Sequence, residues 1–597
     1  MNTIYCLVFI TFFYGICSYA MLCDDGVKRI KELRVHFTSG TKAMLGIVLL
    51  ASLLLVGYWA QQDRFVYYWD YGTYWSIAID RMEYMFTNSF GDIMKSLLES
   101  INRDDYNLFL PSLIALPLKI CGNSFFAYVI INSVMFLIPT MLVQGLVAIK
   151  LWQNTTMRQD RGFVLAVFLA ACFSGNYYAL LKGFIDVAYL LPMSIVMYLW
   201  IDYDFNHISL QRNIAIGLLF VIMWISRRYV IYFIIGTVCI LVIKAIGVLN
   251  RNRNIKQIKI IALNLISIGS ISIGILLLLF QEFFLKSLLT NYGNIYSAYD
   301  APLATKWNHL SLSFGNITLL LILISVILSI CFRKNRENVF SLITMLIIET
   351  TLFWSTQSMG VHHRMLLNVP VFMLELIVIG YWQQKPKTRV LIYTTKGLVL
   401  CYAGLLIVNF SISLLPGSAY QDSHQLFAEK YYPMQRDDID ALNDLVDQLN
   451  EYTDDTQDYV YCLASGTTLN SDVINKLRLP HTSRAVPNLF ATHDVDLRDG
   501  FPSSFLQAKY VVTTVPIQIH LISGQEVVSY LATQVNDPMS SIGNHFELLD
   551  TYELDNGITA CIYKKTSAFT ENDLQEIRDY FSALYPDNPE LFADRIK

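Results

Sequence analysis

The sequence predicts a polytopic α-helical membrane protein of about 12 to 13 spans, followed by a soluble extracytoplasmic α/β domain. Three observations carry that expectation. Apolar residues make up 54% of the 597 and charged residues only 15%, against roughly 25% charged in soluble chains. The mean hydropathy is +0.42 and aromatics reach 13%, as suits chains that anchor at bilayer interfaces. Charge is also uneven: about 28 of the 48 acidic residues, but only about 12 of the 44 basic ones, follow Pro416. These figures exclude disorder, a collagen-like chain and a single soluble enzyme. A net charge of −4 with an acidic tail leaves no nucleic-acid partner to expect. Ten cysteines, most of them inside apolar runs, show neither a CxxC pair nor zinc spacing, so no metal site is assigned.

Apolar stretches near spanning length fall at about 3–22, 43–60, 125–149, 162–179, 186–202, 213–226, 229–248, 258–281, 311–331, 338–357, 366–382 and 390–415. The links between them alternate. One set is basic: Lys28 to Arg34, Lys150 to Arg161, Arg212, Lys244 to Lys259, Arg333 to Arg336, and Lys385 to Arg389. The other is long, aromatic or mixed: 61–107, 180–185, 282–310, 358–365 and the tail from 416. The positive-inside rule puts the basic set in the cytoplasm and the rest outside, in a multi-pass cell-membrane protein. The first apolar run lacks a basic leader and is followed by positive charge, which favours an uncleaved anchor with its N-terminus outside. Run 107–121, broken by Pro111 and Pro117, is short for a span and reads as an interfacial or partly inserted helix.

Residues 1–415 thus form a transmembrane domain whose first large external loop is 61–107, and 416–597 a soluble external one. In the latter, β-rich segments at Tyr459–Leu463, Tyr510–Val515 and Ile558–Tyr563 alternate with helix-like stretches at 437–450, 524–534 and 571–584. No nucleophile elbow, P-loop or metal motif appears there, so an accessory lid or acceptor-docking module is the expected role.

Chemistry-bearing residues collect on the expected outer face. Asp70 follows a span directly, among Tyr67, Tyr68, Trp69, Tyr71, Tyr74 and Trp75. An acid so near a bilayer is costly unless used or paired. It suits a general base that takes the proton of an attacking hydroxyl, with Tyr71 beside it for substrate, or else a structural hydrogen bond. Asp104 and Asp105 suit acceptor binding, positioning of Asp70 or a divalent cation; a plain helix N-terminal cap at Asp105 or Asn107 is the alternative. No cofactor beyond that open divalent cation is called for. Lys182 and Asp186, Arg227 and Arg228, and His362, His363 and Arg364 put cations on the face where the positive-inside rule depletes them. A guanidinium fork or ammonium there suits a lipid phosphate; snorkelling is the plain alternative. Tyr292 and Tyr296 suit either sugar stacking or interface anchoring.

Together these features resemble the GT-C superfamily of polyprenyl-phosphate-sugar-dependent glycosyltransferases, particularly its protein O-mannosyltransferase and lipid A aminoarabinose transferase branch. Asp70 matches the acid that this family carries early in its first external loop. Asp104-Asp105-Tyr106-Asn107-Leu108 through Pro111 is loosely similar to the family's acid followed by a Pro-Pro-Leu-Tyr-like run, without the paired prolines. Lys182 and Asp186 are similar to its cation-acid loop, Ser226-Arg227-Arg228 to its Leu-Thr-Lys-like turn, and His363-Arg364 through Pro370 to a late His or Arg near a Leu-Pro step. The resemblance covers roughly 43–415, by order and topology more than by identical letters. It implies an inverting transfer from an undecaprenyl- or dolichyl-phosphate sugar to a glycan, lipid or protein hydroxyl, with Asp70 as base and the external cations on the departing phosphate. The competing readings are an envelope glycan polymerase or ligase, a lipid-linked sugar transporter, and a scaffold displaying its tail.

Overall fold

The computed structural model describes residues 2–23, 26–152, 158–251, 254–332, 335–381, 389–417, 425–454 and 458–597. Parts of four basic links (153–157, 252–253, 333–334 and 385–388) lie outside the described residues. The chain divides into two compact units. The first is Met1–Gln62, Ile77–Thr290 and Ala301–Tyr432; the second is Asp63–Ser76, Asn291–Asp300 and Pro433–Lys597.

The first unit is helical. Among the described residues, seven helices are long and apolar enough to cross a membrane: Thr3–Leu22, Ser39–Gln62, Phe125–Leu151, Arg228–Arg251, Ile255–Leu279, Arg336–Trp354 and His363–Gly380. Two bent pairs raise the number to as many as nine, Gln159–Ala171 with Ser174–Leu181 at 66° and Leu303–Phe314 with Asn316–Ile330 at 89°. Against the expected 12 to 13 spans, seven to nine helices among the described residues are thus long and apolar enough to be one. Apolar runs at 186–202, 213–226 and 390–415 give Val187–Ile201, Leu210–Ser226 and, at the C-terminal end of a longer helix, the apolar stretch Val399–Leu414. A 15-residue helix rises only about 23 Å, against a hydrocarbon layer of about 30 Å. Every residue of Val187–Trp200 is buried, so this helix is apolar all round because protein surrounds it.

Phe109–Cys121 is likewise buried from Phe109 to Leu116, rather than lying with one face in solvent. The sharp corner between Leu303–Phe314 and Asn316–Ile330 turns at Gly315, φ +77°. A Cβ there would meet the Phe427 carbonyl carbon at 2.6 Å and the Ala428 nitrogen at 2.7 Å, so both the angle and the close backbone approach require glycine.

The second unit is a five-stranded sheet flanked by helices. The strands are β1 (Val460–Cys462), β2 (Leu489–Phe490), β3 (Tyr510–Val515), β4 (Phe546–Leu554) and β5 (Ile558–Lys565), in the order β2-β1-β3-β5-β4. β1 pairs parallel with β2 and β3, whereas β5 runs antiparallel to β3 and β4. Side-chain alternation along β1 sends Val460 and Cys462 into one core and Tyr461 and Leu463 into the other. Leu442, Leu445, Val446 and Leu449 of helix Ile439–Thr453 close the first. Helices Glu526–Asn536 and Glu571–Leu584 close the second through Leu531 and Phe581. The three expected strands and three expected helices are all present. The sequence reading missed β2, too short at two residues to signal, and β4, whose exposed edge carries Glu547, Asp550 and Glu553.

Two excursions from the helical part of the chain complete this unit. Val66 and Tyr68 are buried in its first core. The Arg64 N–H donates to the Met434 carbonyl at 2.9 Å, and the Arg436 N–H donates to the Arg64 carbonyl at 2.9 Å.

Candidate functional site

Asp70 belongs to the second unit, in the first turn of helix Trp69–Thr87. Acids are favoured there by the helix dipole alone. The preceding residue is unusual. Trp69 has φ +44°, a region bulky side chains seldom adopt. Its N–H donates to Asp472 Oδ2 at 2.8 Å, and its ring stands 4.3 Å, centroid to centroid, from that of His520. Lys476 Nζ reaches both Asp472 Oδ2 at 2.8 Å and Thr73 Oγ1 at 2.7 Å, so the strained turn is fixed from two sides. The His520 Nδ1–H points at the Ser465 carbonyl, 2.9 Å away.

Aromatic rings continue from this point. Tyr299 lies 6.2 Å from His520, Tyr296 lies 6.1 Å from Tyr299, and Tyr292 stacks on Tyr296 at 6.2 Å and 13°. The ladder Tyr292–Tyr296–Tyr299–His520–Trp69 thus ends on the residue before Asp70. Burial raises the Tyr299 hydroxyl to about 12, with Asp70, Asp494 and Asp499 among the neighbouring charges. Asp494 accepts the Ser465 hydroxyl at 2.6 Å, and burial pushes its carboxyl up to about 6. The fully buried Ser465 Oγ also lies 3.1 Å from His520 Nδ1, but that nitrogen holds its proton toward the carbonyl and the hydroxyl donates to Asp494, so the three do not form a nucleophile–base relay.

In the first unit, the remaining predicted residues fall into three groups. Arg227 Nε donates to Asp186 Oδ1 at 2.8 Å, and the Tyr229 hydroxyl donates to the same carboxylate. Tyr229 packs edge-on against His363 at 4.7 Å, the rings of His362 and His363 are 3.8 Å apart, and His362 stacks on Phe184 at 4.5 Å. Asp186, Arg227, His362 and His363, drawn from three separate turns, therefore form one buried cluster. Arg228 turns away from Arg227 to Asp105 at 3.0 Å, where Lys286 joins at 2.9 Å; Asp104 accepts the Ser100 hydroxyl at 2.6 Å. Arg364 forms the third group, donating to the His309 carbonyl at 2.8 Å and to Ser313 Oγ at 2.7 Å. With Ser174, Tyr178, Ser413 and Glu429 it lines a small cavity that Leu312, Val361 and Met365 also face, and Lys182 sits over the Tyr178 ring at 4.6 Å. Arg227, Arg228, Arg364 and Lys182 thus occupy three environments, of which Arg364 and Lys182 share one.

Sequence reasoning missed His520, Asp472, Lys476 and Asp494, which lie about 400 residues from Asp70 and carry no local signal. It also passed over Glu349 and Glu375, although acids inside apolar runs are a signal in themselves. Both are buried within candidate spans. Both oxygens of Glu349 and Oε2 of Glu375 meet no hydrogen-bond partner among the described residues. No cluster of three or more His, Cys, Asp or Glu suited to a metal ion occurs among the described residues.

The fold and these groups define a class: a many-helix chain with several helices of spanning length, joined to an α/β unit that holds Asp70 in an aromatic setting. No protein-family model matches the chain, and no curated protein matches it.

Proposed function

We propose that the protein is an integral membrane glycosyltransferase that moves a sugar from a polyprenyl-phosphate donor to a hydroxyl acceptor. The observation that carries this reading is the aromatic ladder from Tyr292 to Trp69, ending beside Asp70. Aromatic faces suit sugar rings, and backbone strain such as that at Trp69 concentrates at working sites. In the reaction the acceptor oxygen attacks the anomeric carbon and Asp70 takes its proton. The bond from that carbon to the phosphate oxygen breaks, and the phosphate leaves with the electron pair. Within the first unit, Arg364, in a cavity that Ser174, Tyr178, Ser413 and also Glu429 line, and Lys182 over the Tyr178 ring are the cations assigned to the donor's phosphate. Asp105, held by Arg228 and Lys286, orders its own loop.

The test is transfer from a radiolabelled polyprenyl-phosphate sugar in proteoliposomes holding the full chain. Asp70→Asn is expected to lower kcat by about 10²- to 10⁴-fold, and Arg364→Ala to lower it with donor KM raised. Unchanged turnover in both variants removes the assignment.

A second reading, transport of a lipid-linked sugar, is favoured by Glu349 and Glu375, acids buried in candidate spans. It expects Glu349→Gln to stop donor translocation and Asp70→Asn to leave it intact.

A further inference from the structure

Arg29, Lys150 and Arg212 come from three separate helices, Gly26–His36, Phe125–Leu151 and Leu210–Ser226, and converge on a single carboxylate. Arg29 Nη2 lies 2.7 Å, Lys150 Nζ 2.8 Å and Arg212 Nη1 3.2 Å from the oxygens of Asp202. Asp202 thus supplies one negative charge to three cations, of which Arg29 and Lys150 also line a cavity beside it. The Lys150 side chain is only 3% exposed. Its ammonium lies 3.5 Å above the Tyr198 ring and donates to the Tyr198 carbonyl at 2.7 Å. A buried ammonium that shares its one acid with other cations is favoured by a further anion nearby.

The cavity beside this cluster measures about 270 Å³. Lys28, Arg29 and Lys150 line its charged side, and Leu33, Leu146 and Ile149 its apolar side. Glu32 also faces it, one acid against the three cations of the lining. A free phosphate would satisfy the cations and leave the leucine and isoleucine wall unused. A molecule that carries a phosphate at the end of an alkyl chain uses both.

We propose that this cavity binds the phosphate group of an anionic membrane phospholipid, with Arg29, Lys28 and Lys150 on the phosphate oxygens and Leu33, Leu146 and Ile149 along the first carbons of an acyl chain. The site shares no residue with the transfer chemistry above and does not depend on it.

Native mass spectrometry of the detergent-solubilised full chain tests this, with phosphatidylglycerol, phosphatidylcholine and inorganic phosphate as probes. Phosphatidylglycerol is expected to fill one high-affinity site that phosphatidylcholine does not compete for and that inorganic phosphate displaces only weakly. Arg29→Gln is expected to weaken it at least about 10-fold, and Lys28→Gln, on an exposed position, about fivefold. Lys259→Gln, at an exposed basic position outside the cavity, is expected to leave it unchanged. Equal binding of the two lipids, or saturation by inorganic phosphate alone, overturns the proposal. So does an equal loss in Lys259→Gln, or no loss in Lys28→Gln; that last variant decides the matter if Arg29→Gln does not fold.

Discussion

Trp69 keeps its left-handed backbone because Asp472 and His520 hold it from the far end of the chain. Asp472→Ala leaves the Trp69 N–H without its charged acceptor, a loss of about 1–3 kcal/mol at that turn. The expected result in a transfer assay is a lower kcat with donor KM unchanged, since the donor phosphate is assigned to other residues. Asp494 makes a pH-dependent prediction. Burial raises its carboxyl from 3.8 to about 6, so between those values the folded state binds more protons than the unfolded one. Stability therefore falls as pH rises from about 4 to about 6 and then levels, by up to about 3 kcal/mol. Asp494→Asn still accepts the Ser465 hydroxyl without that charge. Its unfolding temperature should exceed that of the parent at pH 7.5 and equal it at pH 4, as thermal melts at the two pH values would record.

At the level of elements, close helix crossings rest on glycine. Gly217 in Leu210–Ser226 faces Ile255–Leu279, and a Cβ on it would lie 2.8 Å from Ile271 Cγ2 and 3.2 Å from the Ile268 carbonyl. A backbone carbonyl cannot rotate aside, so Gly217→Ala should destabilise by about 1–3 kcal/mol. Gly269, in the same partner helix with nothing within 4 Å, is the control: Gly269→Ala should be neutral or gain about 0.5–1 kcal/mol. Thermal unfolding in detergent separates the two. In the second unit, Thr570 caps Glu571–Leu584 through a reciprocal bond with Asp573. Thr570→Ala should cost about 1 kcal/mol in the same measurement.

Over the whole chain, the division into units sets what Asp70 depends on. Residues 63–76 and 291–300 leave the helical part and group with 433–597, in whose core Val66 and Tyr68 of the first segment are buried. A chain ending at Tyr432 removes the hydrophobic surface that orders them. Amide exchange across 65–72 should then approach that of an unfolded segment while Val187–Ile201 stays protected, and transfer should be lost. Retained protection at 65–72 would contradict this dependence.

The sequence by itself determined the long apolar helices, three of the five strands and the uneven charge, because each follows from residues near one another in the chain. Apolar runs such as Phe125–Leu151 specify a helix of spanning length through composition alone. Strands such as Tyr510–Val515 specify themselves through β-branched content. Asp70, Arg227 and Arg364 stood out because charge beside apolar runs is conspicuous. Only the tertiary structure decided that Val187–Ile201 is enclosed by protein, that Arg227 and Arg228 take different acids, and that Asp70 stands at the end of a ring ladder completed by His520. Each of these is a contact between segments tens to hundreds of residues apart. Its energy comes from packing and from pairing charges out of water, which no local window of sequence contains.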